Sequence, residues 1–418
     1  MPHPSARAPA ARRRTRLLAI VLGAAVLLAA PACNDDSYDN DDDASDTSGA
    51  GPVAPVELAP DEDIYVLAED FEPGEPGEVI AVQDVEGADI DGTVLRVLYH
   101  SESVEGDDIA VSGIIVVPDG DAPPEGRDVL SWAHGTTGIA DQCAPSLDPN
   151  GAGIELVSPF LERDMVFVAT DYEGLGTPGR HPYIAGVSEG RGTLDIVKAA
   201  INLGDRTGAS ERTVLWGHSQ GGHAVLFANQ IAADYAPELD VVGTVAGAPP
   251  SQLPLIAAAL RDSPYRFYLG MTAAGWNAAY PDADLSLVLT PLGIELLDQV
   301  DEACAGDLGA AWSSYEYEEL ITNDPNDVEP WATLLVENDP GYEVGASPVL
   351  IIHGESDDQI PVISSQLLVT RMCDIGQVVE RLTYPGQSHA GVIGPSMPDM
   401  LEWIDARLAG EEAPSDCT

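Results

Sequence analysis

The sequence predicts an α/β fold in which a mostly parallel sheet is covered by helices on both faces. Short β-branched, apolar runs alternate with segments of helical periodicity along most of the chain. One run, residues 214–216, ends abruptly in a Gly-His-Ser-Gln-Gly turn, and an alanine-rich segment follows it. This alternation of predicted strands and helices is interrupted once, at residues 249–347, where no strand pattern occurs.

The order of the predicted elements supports this class. Residues 95–100 and 109–118 resemble an antiparallel pair around an acidic turn. The remaining apolar runs are short, as in the buried central strands of a parallel sheet. Further strands are predicted at 129–133, 165–169, 241–246 and 349–352, and helices at 192–202, 221–233 and 397–408.

The stretch 249–347 is too long for a loop in a compact domain. Its apolar pieces have helical character and are separated by Pro, Asp and Asn. They lie at residues 253–260, 292–300, 312–321 and 331–336. We therefore expect a helical cap inserted over the mouth of the active site.

Ser219 lies between Gly217 and Gly221 at a predicted strand–turn–helix junction. The neighbouring glycines let strand and helix pass closely while the serine takes a strained backbone conformation. This context makes G-x-S-x-G a nucleophile elbow and predicts an α/β-hydrolase fold with Ser219 as the nucleophile.

A serine nucleophile needs a base and an acid, which in this fold follow in the order Ser, Asp/Glu, His. His389 lies on a glycine-rich loop before the last helix and is the predicted base. Asp357, in the polar loop after residues 349–354, is the predicted acid, with Asp358 and then Glu355 as the alternatives. His218 and His223, which flank the elbow, are expected to pack or hydrogen-bond locally.

An oxyanion needs two aligned N–H donors. The N–H of Gln220, directly after the nucleophile, is one candidate. The second is expected from the loop at residues 134–138, with Thr136 favoured and Gly135 next. Acidic residues at 171 and 173 are interpreted as structural, fixing a loop near the site through local hydrogen bonds.

The N-terminus predicts export. An arginine-rich segment at 12–16, an apolar run at 17–30 and small residues before Cys33 indicate a signal peptide over 1–32. Cys33 fits a bacterial lipid anchor, although Ala30 stands where such motifs usually carry Leu, so ordinary cleavage beside an incidental cysteine is the alternative. Residues 33–60 are predicted to be a disordered Asp/Ser-rich tether, and 61–418 the catalytic domain.

Four further cysteines, an even number in an oxidising compartment, suggest two disulfides with three possible pairings; they are Cys143, Cys304, Cys373 and Cys417. The metal-binding patterns C-x-x-C, H-x-x-x-H and H-E-x-x-H are missing from the sequence, so neither a metal nor a cofactor is expected. The formal net charge of −52 makes nucleic acid a poor partner and indicates a surface suited to solubility or high salt.

Several motifs in order resemble the secretory lipase family, the α/β-hydrolases of the yeast lipase A type and their bacterial lipase and esterase relatives. They are HGTTGIADQCAPS from residue 134, TDYEGLGTPG from 170, GHSQGG from 217, HGESDDQIP from 353, GQSHAG from 386 and the cysteine at 417. The resemblance implies hydrolysis of fatty-acyl esters by Ser219, Asp357 and His389 under a helical lid. It also implies the disulfides Cys143–Cys304 and Cys373–Cys417. His218 stands where the family commonly has Tyr.

These features predict an exported serine hydrolase that acts on small-molecule or lipid esters through an acyl-enzyme. It would be a membrane-anchored lipoprotein if Cys33 is lipidated, and secreted otherwise. The alternatives are a feruloyl-type esterase or a serine peptidase on the same triad, and a lipid-anchored binding protein on an inactive hydrolase scaffold. The acyl chain length, the alcohol and the oligomeric state are not determined by the sequence.

Overall fold

A computed structural model describes residues 54–67, 71–148, 150–151 and 153–417. The predicted signal peptide, Cys33 and the predicted tether up to residue 53 lie outside these ranges. None of the helices within them combines the length and hydrophobicity that a bilayer span requires.

Ten strands form one sheet across the described residues. They are β1 (Val56–Leu58), β2 (Val79–Asp84), β3 (Thr93–Glu102), β4 (Asp108–Val117), β5 (Arg127–Ala133), β6 (Val166–Thr170), β7 (Ala209–His218), β8 (Asp240–Gly247), β9 (Val349–Gly354) and β10 (Val379–Tyr384). Their order is β1-β2-β3-β4-β6-β5-β7-β8-β9-β10. The strands from β6 to β10 in this order are parallel, while β2, β3, β4 and β6 pair antiparallel. β7 therefore lies inside the parallel part of the sheet.

Eleven α-helices accompany the sheet in the part of the chain that is described. They are α1 (Ser158–Leu161), α2 (Gly186–Asn202), α3 (Gln220–Tyr235), α4 (Leu253–Ala259), α5 (Phe267–Ala279), α6 (Pro291–Leu296), α7 (Ala305–Trp312), α8 (Tyr317–Leu320), α9 (Trp331–Glu337), α10 (Val362–Ile375) and α11 (Ile393–Leu408). Helices α2, α3 and α10 share one apolar core with the sheet, and α1 and α11 share the core on the opposite face. Both faces of the parallel part are thus covered, as an α/β-hydrolase fold requires.

The insertion between β8 and β9 consists of α4 to α9, with no strand among its described residues. It has an apolar core of its own, in which Trp276, Trp312 and Trp331 are each no more than 2% exposed. Tyr183 and Ile360 from the sheet domain join this core, so the cap packs directly on loops of the sheet domain. The fold class predicted from the sequence, including its helical cap, is confirmed.

Several boundaries differ from the predictions. Residues 312–321 do not form one helix, because α7 ends at Trp312 and Glu316 begins α8 with a capping box. Helix α5 was not predicted at all. Its glycines are required by close contacts: a Cβ at Gly270 would lie 2.3 Å from the Trp312 ring, and one at Gly275 would lie 2.6 Å from the Tyr183 N.

The predicted tether, 33–60, extends too far toward the domain. β1 lies inside it and pairs in parallel with β2. Gln83 donates hydrogen bonds to the carbonyls of Ala59 and Glu62, and Arg206 pairs with Glu57. These contacts order a segment whose composition alone has little to bury, so the ordered chain begins before residue 61.

Candidate active site

Ser219 occupies the sharp turn between β7 and α3. Its φ of 59° and ψ of −122° are strained for a residue with a side chain, and its N–H donates to the Gly247 carbonyl at 2.8 Å. Strand and helix pass so closely that a Cβ at Gly217 would lie 2.2 Å from the Gly221 oxygen, and one at Gly221 would lie 1.7 Å from the Ala133 oxygen. The G-x-S-x-G sequence therefore has the backbone geometry of a nucleophile elbow.

His389 and Asp357 form a buried pair. Nδ1 of His389 is 2.7 Å from Oδ2 of Asp357, and His389 is 5% exposed. Asp358, the alternative acid, points elsewhere and accepts a hydrogen bond from the Tyr265 hydroxyl at 2.8 Å. Of the two neighbouring aspartates, only Asp357 contacts the predicted base.

Four donors surround the Asp357 carboxylate. Oδ1 accepts from the N–H groups of Gln359 and Ile360 at 2.9 and 2.8 Å, while Oδ2 is shared by His389 and His353 at 2.7 and 3.1 Å. Burial alone would raise the pKa of Asp357, but these hydrogen bonds and the nearby imidazoles outweigh it and hold the pKa well below its usual range. The carboxylate is therefore ionised and fixed in orientation.

His218 connects this pair to the elbow. Its ring lies 4.8 Å from that of His389, centroid to centroid, which places His389 beside the residue that precedes Ser219. Burial lowers the pKa of His218 to about 3, with a smaller contribution from the neighbouring His389. His218 is thus a neutral packing partner of the base at ordinary pH.

The loop from His134 to Gly138 runs alongside Ser219. A Cβ at Gly135 would lie 3.6 Å from the Cβ of Ser219. The Thr136 hydroxyl is 2.8 Å from the Tyr183 hydroxyl, and within the described chain the N–H groups of Thr136 and Gln220 donate no hydrogen bond. Both main-chain donors are therefore available to an incoming group.

A buried polar network lies under the elbow, and sequence reasoning missed its centre. Glu189 of α2 is fully buried and accepts from the Ile184 N–H, from Gln220 Nε2 and from His223 Nδ1 at 2.8 to 2.9 Å. Gln220 Nε2 also reaches Nε2 of His181 at 2.8 Å. Burial lowers the pKa of His181 to about 4, so its ring is neutral. Because Nδ1 donates to the Glu173 carbonyl, Nε2 is the nitrogen that accepts. No sequence signal pointed to Glu189, which lies before the predicted helix at 192–202 and shares α2 with three other charged residues.

The two acidic residues interpreted as structural are both held by side-chain hydroxyls. Asp171 accepts from Ser112 Oγ at 2.7 Å and from the Ser146 N–H at 2.9 Å, and it also contacts the Ser146 hydroxyl. Glu173 accepts from the hydroxyl of Ser188. Burial raises the pKa of Glu173 to about 7, so this loop carries a carboxyl group that titrates near neutrality.

Two apolar cavities extend from Ser219 into the cap. The first, about 60 Å³, is bounded by Ser219, the loop at Tyr183 and Ile184, and helices α4 and α5. The second, about 40 Å³, lies deeper, against Val288, Leu289 and Ile321. The two share five lining residues, which are Ala257, Leu269, Thr272, Trp276 and Leu335. They are therefore adjoining parts of one apolar path that begins at the serine.

Two disulfides link distant parts of the described chain. Cys143–Cys304 joins the loop after Gly138 to the start of α7, and Cys373–Cys417 fastens the C-terminal segment to α10. This is the pairing implied by the family resemblance, and the structure confirms it. No cluster of His, Cys, Asp or Glu suited to a metal ion occurs among the described residues.

Comparison with known proteins identifies the family. The family model described as "Secretory lipase" matches residues 150–416. The chain belongs to the secretory lipase family. Relatives within and around it include the secreted triacylglycerol lipase LIP4 of Malassezia globosa, 28% identical over 66% of this chain and 65% of that protein. Lipase 10 of Candida albicans is 25% identical over 63% of this chain and 59% of its own length. The chain thus spans about three fifths of the length of these two lipases.

Not every relative is named as an active enzyme. A Mycobacterium tuberculosis protein named "Probable inactive lipase" is 25% identical over 85% of this chain and 83% of its own length. Among solved structures, Candida antarctica lipase A in its closed state superposes with a TM-score of 0.73. It is 20% identical and covers 85% of this chain and 87% of its own. That likeness shows a shared fold.

Proposed function

We propose that the chain is an exported serine hydrolase that cleaves carboxylic esters of fatty acids through an acyl-enzyme. The observation that carries the proposal is the strained Ser219, which opens on an apolar path under the cap beside the His389–Asp357 pair. Hydrolysis of a fatty ester requires a nucleophilic hydroxyl, a base held by a carboxylate and an apolar path for the acyl chain beside the hydroxyl.

The hydrogen bond between His389 and Asp357 supports a defined proton path. Since Nδ1 donates to the carboxylate, Nε2 carries the lone pair, and it has no partner among the described residues. Nε2 takes the proton from Ser219 Oγ as that oxygen attacks the ester carbonyl. It then gives the proton to the departing alcohol as the C–O bond breaks, and a water repeats the sequence to release the acid.

The oxyanion of the tetrahedral intermediate would be bound by the N–H groups of Gln220 and Thr136. Neither N–H donates a hydrogen bond within the described chain; Gln220 follows Ser219 directly, and Gly135, which precedes Thr136, lies against it. The Gln220 side chain is fixed by Glu189 and His181, and Thr136 is held by Tyr183, so the two donors are held in place before substrate arrives.

The acyl chain is assigned to the path of the two cavities, because their walls are almost wholly aliphatic or aromatic. At roughly 10–15 Å³ per water, each cavity holds only a few water molecules. A long acyl chain would therefore require α4 and α5 to move apart, whereas a short one would fit with little change. The apolar walls favour a fatty-acyl group over a peptide or a feruloyl group, which are the alternatives.

Export is proposed from the signal-like N-terminus and the two disulfides, which form in oxidising compartments. The Malassezia relative is itself named as secreted. The proposal includes lipidation of Cys33. Cells grown with a radioactive fatty acid should incorporate the label into the wild-type protein and not into a Cys33→Ala variant.

Covalent labelling tests the triad. A fluorophosphonate probe should label the wild-type protein and not Ser219→Ala. Asp357→Asn should lower kcat by about 10³- to 10⁴-fold, because the base loses the acceptor that sets its tautomer. Asp358→Asn, its matched neighbour, should retain wild-type kcat. An unlabelled wild type would support the inactive scaffold instead, and equal losses in the two Asn variants would refute the assignment of the acid.

A series of p-nitrophenyl esters from acetate to palmitate, with feruloyl and peptide substrates beside it, tests the substrate class. Thr272 lines both cavities, so Thr272→Phe should narrow the passage between them. Short esters should be hydrolysed as before, whereas kcat/KM for long esters should fall about tenfold, because a few methylene groups of the acyl chain would no longer be buried. Leu255→Phe, 40% exposed on the same cap, is the control. Hydrolysis of peptides alone, or an unchanged chain-length profile in Thr272→Phe, would contradict this proposal.

A further inference from the structure

A second imidazole contacts the proposed catalytic acid. His353, at the end of β9, is fully buried, and its Nε2 lies 3.1 Å from Oδ2 of Asp357. That oxygen is the one that also contacts His389, at 2.7 Å. One carboxylate oxygen is therefore held between two histidines.

The other contacts of His353 determine where its proton is. Besides Asp357, Nε2 faces the Ile360 carbonyl at 3.1 Å, and both neighbours are acceptors. Nε2 therefore carries hydrogen, which it donates to the Ile360 carbonyl while Oδ2 of Asp357 lies at the same distance from the nitrogen. Nδ1 lies 2.9 Å from the Ser365 hydroxyl, which accepts from Arg381 Nε at 2.8 Å. A continuous series of contacts thus links β10, α10 and β9 to Asp357.

We propose that His353 is a positioning residue of the active site, which holds Oδ2 of Asp357 in place for His389 through its Nε2–H. This inference rests on the proposed function. The two main-chain donors on Oδ1 leave the carboxylate free to pivot about that oxygen. The N–H of His353, with its nitrogen 3.1 Å from Oδ2, attracts the second oxygen and so restrains the orientation of the base.

Two substitutions separate this role from simple packing. Glutamine places its Nε2 where the histidine Nε2 lies and can still donate to Asp357. Asparagine reaches only as far as Nδ1, so it keeps the contact with Ser365 and loses the donor. Both variants lose the imidazole ring, so they differ mainly in whether a donor faces Asp357.

The assay is hydrolysis of p-nitrophenyl butyrate, with kcat expressed per site titrated by the fluorophosphonate. We expect His353→Asn to lose about 10- to 100-fold in kcat with KM unchanged, the scale of one hydrogen bond to a charged group, and His353→Gln to stay within about threefold of wild type. The acidic limb of the pH–rate profile should move to higher pH in His353→Asn only, because a carboxylate with one donor fewer holds the proton on His389 more tightly.

Proton NMR provides a readout that does not depend on turnover. The Nδ1 proton of His389, which faces Asp357, should exchange faster with water in His353→Asn than in wild type and His353→Gln. Equal kcat and exchange in the two variants, or a His353→Asn variant within about twofold of wild type, would overturn the proposal. If His353→Asn does not fold, Ser365→Ala decides, with a three- to tenfold loss in kcat expected and no loss contradicting the role. An inactive, unlabelled wild type would count against the proposed function alone, since the NMR comparison still tests His353.

Discussion

At the residue scale, buried and half-buried carboxylates differ in pKa because they differ in hydrogen-bond donors. Asp357 has four hydrogen-bond donors and a depressed pKa, whereas Glu173 has the Ser188 hydroxyl and a more distant Arg191, so burial raises its pKa to about 7. Asp195, buried beside Lys198, is intermediate, with a pKa raised to about 6. Burial raises the pKa of each carboxylate, and the local donors decide whether that effect prevails.

Glu173 predicts a pH dependence of stability. Its folded pKa of about 7 lies above its ordinary 4.5, so its contribution is fully present below about pH 4.5 and is lost as the pH rises through about 7. Glu173→Gln stays neutral and should gain up to about 3 kcal/mol relative to wild type between pH 5 and pH 8, at 1.36 kcal/mol per pKa unit. Thermal and urea unfolding at both pH values measure this difference. The same offset at pH 5 and pH 8 would show that Glu173 does not titrate in this range.

The sequence was sufficient to identify some of these residues and not others. The order of Ser219, Asp357 and His389 and their positions after strands follow from motifs, whereas the choice between Asp357 and Asp358 depends on which carboxylate the loop turns inward. Glu189 could not be found, because nothing in its local sequence marks a helical glutamate as fully buried.

At the element scale, the loop beside Ser219 is fastened to the cap. The Thr137 carbonyl accepts the Ala305 N–H at 2.8 Å, Gly138 pairs with Cys304, and the Cys143–Cys304 disulfide closes the connection. The proposed donor Thr136 precedes these contacts directly. A displacement of α7 would therefore be transmitted to the proposed oxyanion site.

Removing this disulfide should lower activity as well as stability. The double variant Cys143→Ala/Cys304→Ala is expected to lose about 2–5 kcal/mol in the free energy of unfolding and to reduce kcat more than KM. Cys373→Ala/Cys417→Ala is the matched control, since that bridge lies away from Ser219 and should affect stability alone. Urea unfolding and hydrolysis of p-nitrophenyl butyrate distinguish the two. Equal kcat values in the two double variants would contradict the coupling.

Tertiary contacts also explain which elements were mispredicted. Helix α2 begins at Gly186, earlier than the predicted residue 192, because its glycines allow close packing: a Cβ at Gly190 would lie 2.9 Å from the Ala228 N of α3. A glycine lowers helix propensity locally, yet here it is required by the neighbouring helix. Propensity read along one segment does not include that neighbour.

At the scale of the whole molecule, acidic residues greatly outnumber basic ones. The sequence has 70 Asp and Glu against 18 Lys and Arg. Many of the arginines in the described region already pair with carboxylates, such as Arg163 with Asp405 and Arg371 with Asp339. Most of the surplus negative charge therefore faces solvent and repels itself in the compact state.

Salt should relieve this repulsion. Raising NaCl from about 10 mM to about 300 mM is expected to raise Tm by several degrees, mostly below about 150 mM, where the Debye length falls to about 8 Å. Differential scanning calorimetry measures the change, and sucrose at matched osmolality controls for preferential exclusion. A Tm that stays constant to 300 mM, or that rises equally with sucrose, would contradict a screening effect.

The sequence by itself determined the class of fold, the place of the elbow, the order of the proposed triad and the existence of a helical insertion. These follow from patterns that repeat every two or 3.6 residues and from turns that only glycine permits. The tertiary structure decided which carboxylate meets His389, how the cap is fastened to the loop beside Ser219, and that Glu189 and His353 lie buried beneath the site. Those contacts join residues far apart in the chain, and their energies depend on burial and donor geometry, which arise only when the strands and helices have packed together.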